Sequence, residues 1–153
     1  MKILVFLILL INVNPVMAAT QLNLADSLNR VIVLETTPCY GTCPVQKLEI
    51  FADGQVHYQG IANTERQGEY RLKLRPSALK ALQKCFRDAR FFEFKDSYQQ
   101  KVSDLPSTYL TFSEEGRTKT ILDYYGTPEA IKQLENEVLA LLKRKGWRKV
   151  EKS

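Results

Sequence analysis

The sequence is poor in the residues that do chemistry: 153 residues hold one histidine, three cysteines, one tryptophan and seven glycines. With only His57, and no serine or acid set beside it by a motif, most nucleophile-and-base arrangements are excluded. No glycine loop is built to cradle phosphate, no helix carries two histidines and no quartet of ligands has zinc spacing. No catalytic set, cofactor or metal is therefore expected. Long apolar runs are scarce too. Residues 3–11 form an unbroken run of nine, about 14 Å of helix, whereas a bilayer core needs about 30 Å.

That run instead has the layout of a secretory signal: Lys2 before it, Asn12, Asn14 and Pro15 after it, and small residues at Ala18 and Ala19. Val16 at −3 and Ala18 at −1 place cleavage between Ala18 and Ala19. No cysteine stands immediately after that point, so the common route to a lipid-anchored protein is missing. The chain divides into a signal peptide (1–18), an N-terminal linker (19–28), one domain (29–148) and a basic tail (149–153). The 135 residues left after cleavage suffice for one hydrophobic core and are too few for two ordinary domains. The product is expected to be periplasmic or secreted, with no integral membrane span after cleavage.

Losing Lys2 takes the formal charge from +5 to +4. Much of the excess lies at the end, where Lys143, Arg144, Lys145, Arg148, Lys149 and Lys152 are opposed by Glu151 alone. Such a run attracts anionic partners through its field. Its plainer reading is a solvated tail, and export argues against nucleic acid.

The elements follow from patterning. Residues 31–36 are β-branched and apolar and read as a strand. Around Asp53-Gly54 a three-residue loop, with Gly54 left-handed, pairs Ile50 with Val56, Leu48 with Tyr58 and Glu49 with His57. A two-residue loop would spread apolar side chains over both faces, so the first register is expected. Tyr70, Leu72 and Leu74 alternate with Arg71 and Lys73 as a half-buried strand. Pro76 and Ser77 open a helix to about residue 89, followed by the aromatic cluster Phe91, Phe92 and Phe94. Residues 95–107 show no clear period, and a loop that long invites either function or a plain surface crossover. Residues 108–112 and 118–123 flank Glu114-Glu115-Gly116 as a second hairpin. Thr127 before Pro128 reads as an N-cap, Ile131, Leu134, Val138, Leu141 and Leu142 keep one apolar helix face, and Gly146 is the stop. The expected class is α+β: an antiparallel sheet of two hairpins plus flanking strands, with two amphipathic helices on one face.

The densest chemical signal is Pro38-Cys39-Tyr40-Gly41-Thr42-Cys43-Pro44. It suits a structural disulfide, a redox dithiol or a Cu(I) site, since soft thiolates select that ion. The Cys-x-x-x-Cys-Pro pattern resembles that of the Sco copper-delivery proteins, which also supply a histidine, but nothing in the sequence aims His57 at the loop. Cys85 shares a helical face with Leu79, Leu82, Phe86 and Ala89, where it is expected reduced and buried. Export then pairs Cys39 with Cys43; the alternative joins Cys85 to one loop cysteine. Among the carboxylates Asp96, Asp104 and Asp123, Asp104 stands out because Asp-x-Pro before a strand orients a loop or meets a ligand, unless its side chain merely closes a turn. Tyr40, Asp104, Tyr124 and Trp147 form the candidate ligand or partner surface, although such aromatics more often sit at the edge of a core.

Taken in order, Cys39-Tyr40-Gly41-Thr42-Cys43-Pro44, Asp53-Gly54-Gln55-Val56-His57-Tyr58-Gln59-Gly60, Phe91-Phe92, Asp104-Leu105-Pro106, Asp123-Tyr124-Tyr125-Gly126 and Trp147 resemble a bacterial family of exported domains of unknown function, number 6438 in that series. Its pattern is Cys-x-Gly-x-Cys-Pro, Asp-Gly-x-Val-x-Tyr-x-Gly and Asp-x-Pro. Positions 57 and 85 stand outside it. The resemblance runs from about residue 29 to 148 and implies an exported α+β module with a cysteine-pair loop; it brings no activity, substrate or catalytic residue. Two functions are carried forward: a non-enzymatic envelope or secreted module that binds a protein or ligand, and a thiol-redox or Cu(I)-handling protein acting through Cys39 and Cys43.

Overall fold

The hairpin at Asp53-Gly54 sets the register of the whole sheet. In the computed structural model, which describes residues 29–101 and 104–151, β2 (Val45–Phe51) and β3 (Gln55–Ala62) pair antiparallel. Ile50 stands opposite Val56, Leu48 opposite Tyr58 and Glu49 opposite His57, the register that keeps apolar side chains on one face. Gly54 has φ +88°, and a Cβ there would stand 2.9 Å from the Leu74 carbonyl oxygen, so the turn requires glycine for conformation and for room. The signal peptide, the Ala18/Ala19 cleavage point and the linker lie outside the described residues.

Around this hairpin stand β1 (Arg30–Thr36), β4 (Gly68–Lys73), β6 (Thr108–Glu114) and β7 (Arg117–Asp123). Two-residue strands close the edges: β5 (Ser97–Tyr98) and β8 (Arg148–Lys149). The order is β5-β7-β6-β1-β2-β3-β4-β8, antiparallel throughout except where β5 runs parallel to β7. With α1 (Pro76–Asp88) and α2 (Glu129–Leu139), this is an α+β fold.

Period-2 patterning builds the core. Ile32, Leu34, Leu48, Ile50, Val56, Leu110, Phe112 and Ile121 are mutually opposed across five strands and fully buried. Each such side chain contributes about 1.5–3 kcal/mol by leaving water. The alternate set, including Glu35, Lys47, Glu49, His57, Gln59, Arg71 and Thr111, is polar and partly or fully exposed. Leu79, Leu82 and Phe86 of α1 and Ile131, Leu134 and Val138 of α2 join the same core cluster. After α1, Arg90 turns left-handed at φ +57° and leads into a 3-10 turn, Phe91–Glu93, whose Phe91 ring lies 5.3 Å from Phe86 and 5.9 Å from Phe112. Register puts Lys119 opposite Phe112, and its ammonium is satisfied there by the carbonyls of Phe92 (3.3 Å) and Phe94 (2.5 Å) and by Asp96 (2.8 Å).

Five local expectations change. Thr127 does not cap α2: Pro128 holds the cap position in extended conformation with no side-chain cap bond, and the Thr127 hydroxyl donates to the buried carboxylate of Asp123, Oδ1 at 2.5 Å. Gly146 does not stop the helix, which continues as a 3-10 segment, Ala140–Lys143, and ends where Arg144 becomes extended; Gly146, at φ +100°, serves the next turn. Cys85 is free as expected but half-buried, its thiol 3.4 Å from the Ala81 carbonyl. The aperiodic stretch 95–107 contains β5, too short to show a period. The basic C-terminal run also enters the sheet: Lys149 pairs with Tyr70, Arg148 with Arg71, and the Val150 amide donates to the Glu69 carbonyl at 2.9 Å.

Candidate functional site

Strand directions bring the sequence motifs to one end of the sheet. There β1, β3, β5 and β7 finish and β2, β4 and β6 begin. Residues 37–44, which join β1 to β2, carry the Cys39–Cys43 disulfide, whose Cα atoms are 5.8 Å apart. Proline on either side keeps the loop out of both strands, and the Gly41 amide donates to Cys39 Sγ at 3.3 Å. Neighbouring segments are tied to it by hydrogen bonds. Thr36 Oγ1 donates to the Pro44 carbonyl (2.6 Å) and accepts from the Gln46 amide (3.2 Å). The Thr37 amide donates to the Ser107 carbonyl, and the Ser107 amide to Thr37 Oγ1, both at 2.9 Å. Asn63, left-handed at φ +54°, donates from Nδ2 to the Cys43 carbonyl at 3.2 Å. The disulfide loop is thus stapled to the turn after β3 and to the segment before β6.

Tyr40, at the tip of this loop, is 91% exposed. Asp104 is exposed and left-handed at φ +72°, a conformation aspartate tolerates better than most residues. Tyr124 is half-buried at the end of β7, its amide donating to the Tyr98 carbonyl at 3.0 Å. These three come to the same end of the sheet. Trp147 does not join them: its ring packs edge-on against Tyr58 at 5.8 Å and its indole N–H donates to the Leu141 carbonyl at 3.1 Å, which makes it a wall of the core. His57 lies five positions back along β3 from Ala62, roughly 16 Å of strand, with its ring 4.4 Å from Phe51, so it is not brought to the cysteines. Beside the loop, a depression of about 400 Å³ reaches Gln46, Tyr58, Asn63, Arg66 and Leu142. In its floor the Tyr58 hydroxyl donates to Gln46 Oε1 at 3.2 Å, and burial pushes the phenol above its ordinary range, so it stays a donor.

Just inside this end lies a cluster that patterning missed. Asp123, at the end of β7, and Glu135, on α2, are 2% and 6% exposed. The Lys132 ammonium pairs with Asp123 and stands 3.6 Å from Glu135. Burial and the hydrogen bond to Asp123 push Glu135 up to about 8, so at neutral pH it keeps its proton and donates. Burial acts against Asp123 as well, but the donors Glu135, Lys132 and Thr127 hold it below the usual carboxylate range. The available signal was Glu135 itself, which falls with Ile131, Leu134 and Val138 on the apolar face of α2. Elsewhere, a depression of about 650 Å³ on the polar sheet face is lined by Arg30, Glu35, Lys47, Thr111 and Arg117 among others. None of the sequence-predicted site residues lines it. Among the described residues, no helix is long and apolar enough to cross a membrane.

Fold and site together define a small α+β domain whose sheet end is clasped by a disulfide. The family model described as Domain of unknown function (DUF6438) matches residues 30–142, and the chain belongs to that family. No curated protein and no solved structure matches it.

Proposed function

We propose that the chain is an exported, non-enzymatic module of the cell envelope or its surroundings that binds a protein or ligand through the disulfide-clasped end of its sheet. One observation carries the reading. The exposed large apolar side chains among the described residues are Tyr40, Ile61, Leu105, Tyr109 and Tyr125, and every one sits within two residues of a strand terminus, or in a loop, at that end. Scattered apolar residues need no explanation, whereas a group of them does. The clasp and its hydrogen bonds hold this surface rigid before contact, which lowers the entropy lost on binding. In this reading the two hairpins form the frame, and both helices cover one sheet face, so that recognition falls to the loops. The buried carboxyls of Asp123 and Glu135, with the half-exposed Lys132 over them, are then a support for residues 124–128, since a carboxylate out of solvent meets no substrate.

Affinity capture from envelope extract with residues 19–153 tests the proposal. A component retained by the wild-type protein is expected to be lost with the Tyr40→Ser/Leu105→Ser variant, whose circular dichroism and melting stay unchanged. Equal capture by both proteins rejects this end as the binding surface.

A further inference from the structure

The C-terminal basic run is folded onto the sheet, and this changes what it can do. Gly146 turns the chain at φ +100° and lies against β4, where an added Cβ would meet Leu72 Cδ1 at 3.4 Å. Trp147 anchors the turn from the other side through Tyr58 and the Leu141 carbonyl. On either side of these fixed points Lys145 and Arg148 are presented to solvent at the β4 edge. With Gln55, Arg71, Lys73 and Gly146 they line a depression of about 480 Å³.

The pairing there runs against electrostatics. Arg148 stands directly opposite Arg71. Like charges opposed across strands destabilise a sheet. The usual remedy is a carboxylate between them, and none serves. Glu49, next in the same row, is taken by Arg30 at 2.6 Å and Lys47 at 3.1 Å. Lys73 is held by Asp53 at 3.2 Å, but among the described residues Arg71, Lys145 and Arg148 form no ion pair. Glu69, two positions along β4 and opposite Gln59, forms no ion pair with them among the described residues. A local rule broken without internal compensation marks a place where a ligand supplies what is missing. Two guanidinium forks and an ammonium in a concave edge match an oxyanion with several acceptor oxygens.

We propose that the β4–β8 edge, centred on Arg71, Lys145 and Arg148, is a binding site for phosphate-bearing anions, separate from the disulfide-clasped end. The phosphate reaches the site on a soluble molecule or as a lipid headgroup, and two probes distinguish these sources. Titration calorimetry with inorganic pyrophosphate reports the first, and co-sedimentation with phosphatidylglycerol vesicles against phosphatidylcholine vesicles the second. Binding to at least one anionic probe is expected, and the Lys145→Glu/Arg148→Glu variant should weaken it by about tenfold or more, as loss of two charge-assisted contacts does. Lys80→Glu/Lys95→Glu makes the same change in net charge elsewhere and should retain binding to within about threefold. Unchanged Trp147 fluorescence certifies the fold of both variants. Absence of binding to both probes overturns the proposal, and so does an equal loss in the two variants, which reduces the effect to net charge.

Discussion

Glu135 occupies a position that the spacing of α2 gives to an apolar side chain, four residues after Ile131 and three before Val138. It is accommodated because it stays protonated and donates to Asp123, which in turn accepts from Thr127 and pairs with Lys132. The result is a pH dependence of definite sign. Glu135 titrates near 4.5 when unfolded and near 8 in the native protein. Between those values the native state holds a proton that the unfolded state has lost, so stability falls as pH rises, by up to about 1.4 kcal/mol per pH unit. Asp123 acts in the opposite sense, its contribution disappearing only as pH falls below the carboxylate range. Glu135→Gln keeps a donor of the same shape without the titration. Urea unfolding from pH 5.5 to 8.5 should show the wild type losing stability relative to this variant; a difference that does not vary with pH contradicts the assignment.

At the scale of elements, the 37–44 loop carries its own constraint. Removing the clasp as Cys39→Ser/Cys43→Ser should cost about 2 kcal/mol for so short a loop and leave the core strands and α1 in place. Mass mapping of unreduced protein should find Cys39 joined to Cys43 and one alkylatable thiol, at Cys85. A peptide joining Cys85 to either loop cysteine would falsify this pairing. How legible each element was follows from its length and its competitors. The β2–β3 register could be read because a one-residue slip moves Leu48, Ile50, Val56 and Tyr58 to the wrong face. Both helices could be read because apolar positions repeat at helical spacing, Leu79, Leu82 and Phe86 along α1 and Ile131, Leu134 and Val138 along α2. β5 and β8 could not, since two residues have no period, and only the tertiary fold places Ser97 beside Leu122 or Arg148 beside Arg71. The start of α2 was misjudged because Pro128 takes the cap position and Thr127, one residue earlier, is turned to Asp123 at the end of β7. Of the proposed surface, Tyr40, Asp104 and Tyr124 were legible as motif residues, whereas Trp147 belongs to the core edge. Ile61, Leu105 and Tyr109 join the surface only once the strands are aligned.

For the molecule as a whole, one end, one edge and one face differ in character. Apolar side chains gather at the clasped end, uncompensated cations at the β4–β8 edge, and the polar sheet face between them is largely neutralised by pairs such as Arg30–Glu49 and Lys47–Glu49. Those pairs and the lysine donors hold Glu49 below its ordinary range despite the burial that pushes it up, so this face stays charged and paired at neutral pH. On the proposed reading, the partner is met end-on. Site-specific photo-crosslinking tests that most directly: a benzophenone side chain is placed at position 40, or as a control at position 59 on the polar face, and the protein is irradiated in envelope extract. The account predicts a discrete adduct from position 40, absent from position 59 and suppressed by excess unlabelled protein. No adduct from position 40, or the same adducts from both positions, would contradict it.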